Sequence, residues 1–270
     1  MYFDFTEVVM QLENIIYVKN DDIAIIRLNR PKAFNAFNFD LFGDLNKAME
    51  ACTDDKDVKV VVITGEGKAF SSGGDVAMFN NSPDPGETLR QLTKLLNYAI
   101  VSIREIPKPV IAMINGTVAG VGVSVAAACD LRISAASAKF RQAYTSIGLI
   151  PDGAWTLLVP LLIGFGKAQE LVYLDPIFTA GEALEMGLVN QVAEDSDLEN
   201  ATMDIALKLA RGPLLSYAMA KENFNQAILG LLERQLELER CGLIRAGRTA
   251  DAREGIAAFT EKRKPAFKGL

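Results

Sequence analysis

The sequence predicts an α/β fold followed by a helical C-terminal unit, and three observations carry that expectation. Short β-branched runs alternate with stretches of helical spacing between residues 23 and 134, the pattern of strands joined by helices. After Leu188-Val189 the strand signal stops and helical spacing alone continues. The chain has 270 residues, 50% of them hydrophobic and 23% charged, which is enough to bury the core such a fold needs. The expected division is an α/β body over 1–195 and helices over 196–270.

Ile23 to Leu28 is a β-branched run that ends at Arg30-Pro31, a strand followed by a loop. Leu41, Leu45, Ala48 and Met49 recur at helical intervals between Asn38 and Met49, and Asp54 to Asp57 reads as a polar connector. Val58 to Thr64 is a buried strand running into Gly65. The glycine-rich segment Ala69 to Asp75 follows, then a polar stretch with Pro83 and Pro85 that reads as a mobile loop. Leu89, Leu92, Leu95, Leu96, Ala99 and Ile103 form a helical stripe that stops at Pro107-Lys108-Pro109.

The pattern then repeats as a strand over Val110 to Ile114, a glycine turn, a helix over Val121 to Ala128 and a strand over Leu131 to Ser134. Pro109 to Cys129 carries no charge and has the length of a membrane span, but Asn115-Gly116 splits it. Ser196-Asp197-Leu198-Glu199 has the form of a capping box, and Gly212-Pro213 is a stop. Three helices are expected beyond it, over Leu214 to Ile228, Leu231 to Arg245 and Asp251 to Lys262.

Composition excludes several chemistries. Lys plus Arg total 28 against 34 Asp plus Glu, a net charge of −6, which argues against nucleic acid as a partner. The count of histidine is zero, so Ser-His-Asp and Cys-His relays, imidazole bases and His metal sites are all absent. Cys52, Cys129 and Cys241 are far apart and odd in number, a reduced pattern without metal-ligand spacing. The first fourteen residues have no basic segment before an apolar run, so a cytoplasmic protein with no membrane partner is expected.

Two strand-to-helix glycine segments stand out, Gly73-Gly74 and Gly120-Val121-Gly122. N–H groups free at a helix start attract negative charge, and two converging on one point make an oxyanion hole. The same glycines also serve as tight turns, and spacing alone does not separate the two readings. The Gly120 segment lacks the third small residue of a dinucleotide fingerprint.

The segments Ala69-Phe70-Ser71-Ser72-Gly73-Gly74-Asp75 and Asn115-Gly116-Thr117-Val118-Ala119-Gly120-Val121-Gly122 resemble signatures of the crotonase (enoyl-CoA hydratase/isomerase) superfamily. Ala128-Cys129-Asp130, Ser137-Ala138-Lys139-Phe140, Arg30-Pro31-Lys32-Ala33-Phe34-Asn35-Ala36 and Gly187-Leu188-Val189 extend the resemblance in order along the chain. The resemblance implies a spiral of ββα units with C-terminal helices that pack trimers, or hexamers as dimers of trimers. It implies an acyl-CoA thioester as substrate, with coenzyme A entering only as part of it, and no separate cofactor or metal. The Gly74 and Val121 N–H groups would hold the thioester oxygen, each worth about 3 kcal/mol to an enolate. Lys32, Ala33, Ala69, Asp75, Val76 and Tyr144 would line the substrate site. The final ten residues sum to +3, from Lys262, Arg263, Lys264 and Lys268 against Glu261. Such a tail, Lys262 in particular, either reaches a CoA phosphate or stays solvated.

Hydratases of this superfamily carry two glutamates, and the resemblance places Ser124 and Tyr144 at those positions. Neither hydroxyl replaces a carboxylate near neutral pH. Asp152, in Ile150-Pro151-Asp152-Gly153, lies among apolar residues just before an apparent helix. As a residue type it suits an N-cap, and the two roles of cap and proton carrier can coexist. This arrangement resembles the epoxyphenylacetyl-CoA isomerase branch, as does Arg245 to Gly255, and there the aspartate is the acid/base. The dehalogenase branch needs a histidine that this chain lacks.

The expectation is therefore an acyl-CoA double-bond isomerase, acting on a 3-enoyl-CoA or a ring-epoxide acyl-CoA, with Asp152 as acid/base. The rivals are another crotonase reaction, such as hydration or thioester hydrolysis, and a non-catalytic acyl-CoA-binding member. Asp75 is expected to cap the following helix, and Glu87 is a candidate second acid at the pocket. Phe79, Leu89, Leu92 and Trp155 are expected acyl-pocket walls.

Overall fold

The computed structural model describes residues 8–270; the first seven residues, part of the stretch read for a signal, lie outside the described residues. The chain opens with β1 (Val8–Gln11), β2 (Ile15–Asn20) and β3 (Ile23–Leu28), an antiparallel meander, and then α1 (Phe39–Asp54). Asn38 caps α1 by accepting the Leu41 N–H at 2.9 Å, and the helix runs on through Asp54, into the expected connector.

Three ββα units follow. β4 (Val60–Gly65) and β5 (Ala69–Ser71) lead into α2 (Val76–Asn80) and α3 (Pro85–Glu105). β6 (Val110–Ile114) and β7 (Thr117–Ala119) lead into α4 (Val121–Ala128). β8 (Leu131–Ala135) and β9 (Lys139–Arg141) lead into α5 (Trp155–Ile163) and α6 (Phe165–Leu174). The first strand of each unit joins one sheet and the second strand joins another, so successive units stack as the expected spiral. After β10 (Phe178–Thr179), α7 (Ala180–Glu185) and β11 (Gln191–Ala193), the large sheet has the order β1-β2-β3-β4-β6-β8-β11 and the small one β10-β9-β7-β5. Strands β3, β4, β6, β8 and β11 are parallel, and the apolar runs of β3, β4, β6 and β8 are buried on both faces, whereas the edge strand β11 is not.

Several local expectations are corrected. The polar stretch before Leu89 contains α2, and Pro85 occupies the first turn of α3, where Asp84 caps the Glu87 N–H at 3.1 Å. A proline there lacks only an N–H that would have had no partner. The strand signal does not end at Val189, because β11 closes the edge of the large sheet beside β8. The Ser196–Glu199 capping box does not form: the N-cap is Asp197, at φ −114° and ψ −2°, and its carboxylate accepts from Asn200 instead. A reciprocal box forms at Thr179 and Glu182.

The C-terminal helices are α8 (Leu198–Ala210), α9 (Leu214–Gly247) and α10 (Ala250–Thr260). The two helices expected between Leu214 and Arg245 are one, running through Gly230. An interior glycine costs about 1 kcal/mol, which burial of Leu232, Leu236 and Leu243 offsets. Helix α8 packs on β4, β6 and β8, whereas α9 packs on α3 and α5. The uncharged span over 109–129 divides into β6, β7 and α4, and among the described residues no helix is long and apolar enough to cross a membrane.

Asn35 fastens the turn after β3 to the glycine-rich segment. It is fully buried at φ 55°, accepts the Arg30 N–H at 2.9 Å, and donates to the carbonyls of Glu66 at 3.0 Å and Ala69 at 2.7 Å. Asparagine tolerates this left-handed backbone better than alanine does. An Asn35→Ala chain should lose at least ~2 kcal/mol of stability, because it leaves buried partners unpaired. Urea unfolding tests this, and an unmoved midpoint would refute it.

Candidate active site

The strands of the small sheet end where two glycine turns meet. Gly73 (φ 105°) and Gly120 (φ 51°) lie back to back, so closely that a Cβ on Gly120 would meet the Gly73 Cα at 3.4 Å. Only glycine suits both the backbone angles and this approach. Gly73 is held from both sides, its carbonyl accepting the Phe37 N–H at 2.8 Å and its N–H donating to Ser71 Oγ at 3.2 Å. Gly120 donates to the Arg141 carbonyl at 3.1 Å. The next residues along, Gly74 and Val121, both line one cavity, and neither N–H donates to an acceptor among the described residues.

That cavity offers about 80 Å³ to the centres of water-sized molecules and opens to solvent. Phe79, Leu89 and Leu92 line it as expected, with Val76, Leu96, Leu149 and Leu243. Trp155 does not: it is 1% exposed and lines a separate groove with Thr156 and Pro160. Among the described residues the cavity wall carries one acid, Asp152, and one cation, Arg141, which is paired with Asp175 at 2.7 Å.

Asp152 is 7% exposed, and one of its carboxylate oxygens accepts the Tyr144 O–H at 2.6 Å. Burial pushes its carboxyl up to about 6, the Tyr144 hydrogen bond opposing that shift. The same burial raises the Tyr144 phenol, which stays protonated as a donor. Ser124 Oγ donates to the Asp152 carbonyl at 2.6 Å, so this hydroxyl holds the turn and does not face a ligand as a carboxylate would.

The expected N-cap role of Asp152 is corrected. Helix α5 begins two residues later than expected, with Ala154 at the N-cap position and no cap from a residue of its own segment. The donors are taken by Glu239 of α9, whose carboxylate accepts the Ala154 N–H at 2.6 Å, the Thr156 N–H at 2.8 Å and the Thr156 hydroxyl. Burial pushes Glu239 up to about 7, with the Asp152 charge adding to the shift. Sequence reasoning missed this residue, although a signal exists. Leu232, Leu236, Glu239 and Leu243 share the buried stripe of α9, and an acid at an apolar position of such a stripe needs partners.

The other expected site residues are more scattered. Asp75 stands at the start of α2, but its side chain does not cap; it pairs with Arg30 at 3.1 Å, a stronger partner than a backbone N–H. Ala69 is fully buried in β5, its carbonyl held by Asn35. Lys32 and Ala33 form a single 3₁₀ turn with Lys32 exposed, and Ser72 Oγ reaches the Ala33 carbonyl at 3.4 Å. Val76 and Tyr144 are on the cavity wall. Lys262 lies past the end of α10, three residues beyond Phe259, which lines the cavity. In the tail, Arg263 is paired with Glu254 and Glu261, both at 2.5 Å, so it is not a free cation. Glu87 is turned away from the cavity and locked between Arg90 and Gln91, which hold it down at about 2.

The sequence model of the enoyl-CoA hydratase/isomerase family matches residues 18–270. The chain belongs to the enoyl-CoA hydratase/isomerase family. It is 34% identical to the 1,2-epoxyphenylacetyl-CoA isomerase of Escherichia coli, over 96% of this chain and 99% of that protein. It is 35% identical to the crotonyl-CoA hydratase of Syntrophomonas wolfei, over 96% of this chain and 99% of that one. Among solved structures, an enoyl-CoA hydratase from Mycobacterium avium subsp. paratuberculosis superposes with a TM-score of 0.87 at 31% identity, over 96% of this chain and all of that one. This family member thus has the crotonase fold, with relatives named for isomerisation and for hydration at nearly equal identity.

Proposed function

We propose that this chain is an acyl-CoA double-bond isomerase with Asp152 as its single acid/base. The observation that carries the reading is the composition of the cavity wall, where Gly74 and Val121, whose N–H groups have no acceptor among the described residues, line the same space as one carboxylate. Water addition to an enoyl thioester needs one group to activate water and another to deliver a proton. Moving a double bond needs one group that takes a proton and returns it elsewhere.

In the proposed reaction Asp152 removes a proton from the carbon between the thioester and the 3,4 double bond. The electrons move onto the thioester oxygen, which the Gly74 and Val121 N–H groups receive. Asp152 then returns the same proton to the far carbon, and the conjugated 2-enoyl thioester forms with no net gain or loss of atoms. Tyr144 donates to one Asp152 oxygen and holds the carboxylate on the cavity wall. A carboxyl near 6 suits both steps at neutral pH, being ionised yet more basic than an exposed aspartate. Lys32, Ala33, Ala69, Asp75, Val76 and Lys262 complete the proposed acyl-CoA site.

We extend the proposal to a homotrimer or a dimer of trimers, supported by the exposed Leu161, Phe165, Tyr173 and Leu174 on α5 and α6. The relative named as a crotonyl-CoA hydratase favours hydration as the second reading. A panel of 3-enoyl-, 2-enoyl- and ring-derived CoA esters separates the two by product mass. Isomerisation leaves the mass unchanged; a gain of one water from crotonyl-CoA, with no isomerised 3-enoyl-CoA, would overturn the proposal.

A further inference from the structure

Glu239 is a buried carboxylate that the isomerase reading does not use. It reaches from α9, 3% exposed, to the start of α5, where three donors converge on it. Gln235, one turn earlier on α9, donates to Thr156 Oγ1 at 2.7 Å and completes the cluster. The backbone between Asp152 and α5 is left-handed at both Gly153 (φ 68°) and Ala154 (φ 62°). For Ala154 that conformation is unfavourable, and the Glu239 hydrogen bond to its N–H holds it in place.

We propose that Glu239 is the positioning residue for Asp152: by capping α5 from another helix, it keeps the α5 donors off the Asp152 carboxylate and leaves that carboxylate facing the cavity. The inference rests on the isomerase reading, in which Asp152 carries the proton. Asp152 stands two residues before Ala154, within the usual span of an N-cap side chain. A carboxylate that accepts two or three backbone N–H bonds is strongly stabilised as the anion and becomes a weak base. A helix N-terminus acts in the same direction through its partial positive charge. Glu239 accepts these donors in place of Asp152, so the cavity carboxylate keeps its basicity.

The titratable and charged groups around Asp152 are limited. Tyr144 donates to it, and Glu239 stands behind it on α9. Arg141 on the cavity wall is paired with Asp175. From α10, Asp251 is occupied by the Lys268 and Gly269 N–H groups, and Glu254 is paired with Arg263. On α9, Glu237 and Arg240 pair with each other. Helices α3 and α4 bring Leu96 and Ser124 against the turn, neither of them charged.

The test compares Glu239→Ala, Glu239→Gln, Asp152→Asn and the Asp152→Asn/Glu239→Gln double variant of the full chain, assayed with a 3-enoyl-CoA. Glu239→Gln has nearly the native size and one acceptor oxygen where three donors converge, so it carries the test if the alanine variant does not fold. The expected result is a fall in kcat of at least ~10-fold at neutral pH with little change in KM. The acid limb of kcat/KM should move down by about one pH unit, toward the ordinary aspartate range. The double variant should be no slower than Asp152→Asn alone. An unmoved acid limb in Glu239→Gln, or losses that multiply in the double variant, would overturn the inference and leave the isomerase reading standing. Wild-type turnover by Asp152→Asn would instead remove the isomerase reading, and with it this one.

Discussion

An Asp152→Asn enzyme should isomerise its thioester at least ~10²-fold more slowly than the wild type, the usual worth of a positioned acid/base. The substitution is nearly isosteric, and the amide oxygen still accepts the Tyr144 O–H that Asp152 accepts at 2.6 Å. The fold and the affinity for CoA should therefore change little. The wild-type kcat/KM should fall on the acid side through an inflection near pH 6, because protonation of the buried Asp152 removes the base. The residual activity of the variant should lack that inflection. Following the conjugated product against pH measures both features, and near-wild-type turnover by the variant would refute the role given to Asp152.

The second large effect is expected at Gly120. Its backbone, at φ 51° and ψ −129°, is strained for any residue with a Cβ, and a methyl there would stand in van der Waals contact with the Gly73 Cα at 3.4 Å. Gly120→Ala therefore distorts the junction that aims both the Gly74 and Val121 N–H groups. Losing the alignment of oxyanion donors costs about 10²- to 10³-fold in kcat. The Asp152 inflection near pH 6 should survive, because the base is untouched. That separates this variant from Asp152→Asn in the same pH series. A folded Gly120→Ala enzyme with wild-type kcat would show that the glycine turns only shape the chain.

The large-sheet strands and most of the helices were legible from local pattern. Ile23 to Leu28 and Val110 to Ile114 are strands from end to end as read, because continuous β-branched runs suit a sheet buried on both faces. The short strands β5, β7, β9 and β10 carry two or three residues each and leave almost no periodicity to detect. The break expected near Gly230 was wrong because packing of α9 outweighs a single glycine. The Asp75 and Asp152 caps were expected from residue type, which is silent about a competing partner. Arg30 is 45 residues from Asp75, and Glu239 is 85 residues from the Ala154 N–H that it caps.

By itself the sequence determined the chemistry that this protein lacks and the frame in which the rest is set. A chain without histidine has no imidazole base, and ordered glycine segments carried the resemblance to one family over nearly all of its length. Only the tertiary structure decided which acid, among the described residues, stands alone on the cavity wall. It also decided which acid is withdrawn behind the wall to hold the turn. Burial, hydrogen bonding and proton affinity depend on what the fold brings within a few ångströms, and local sequence pattern does not encode those distant neighbours.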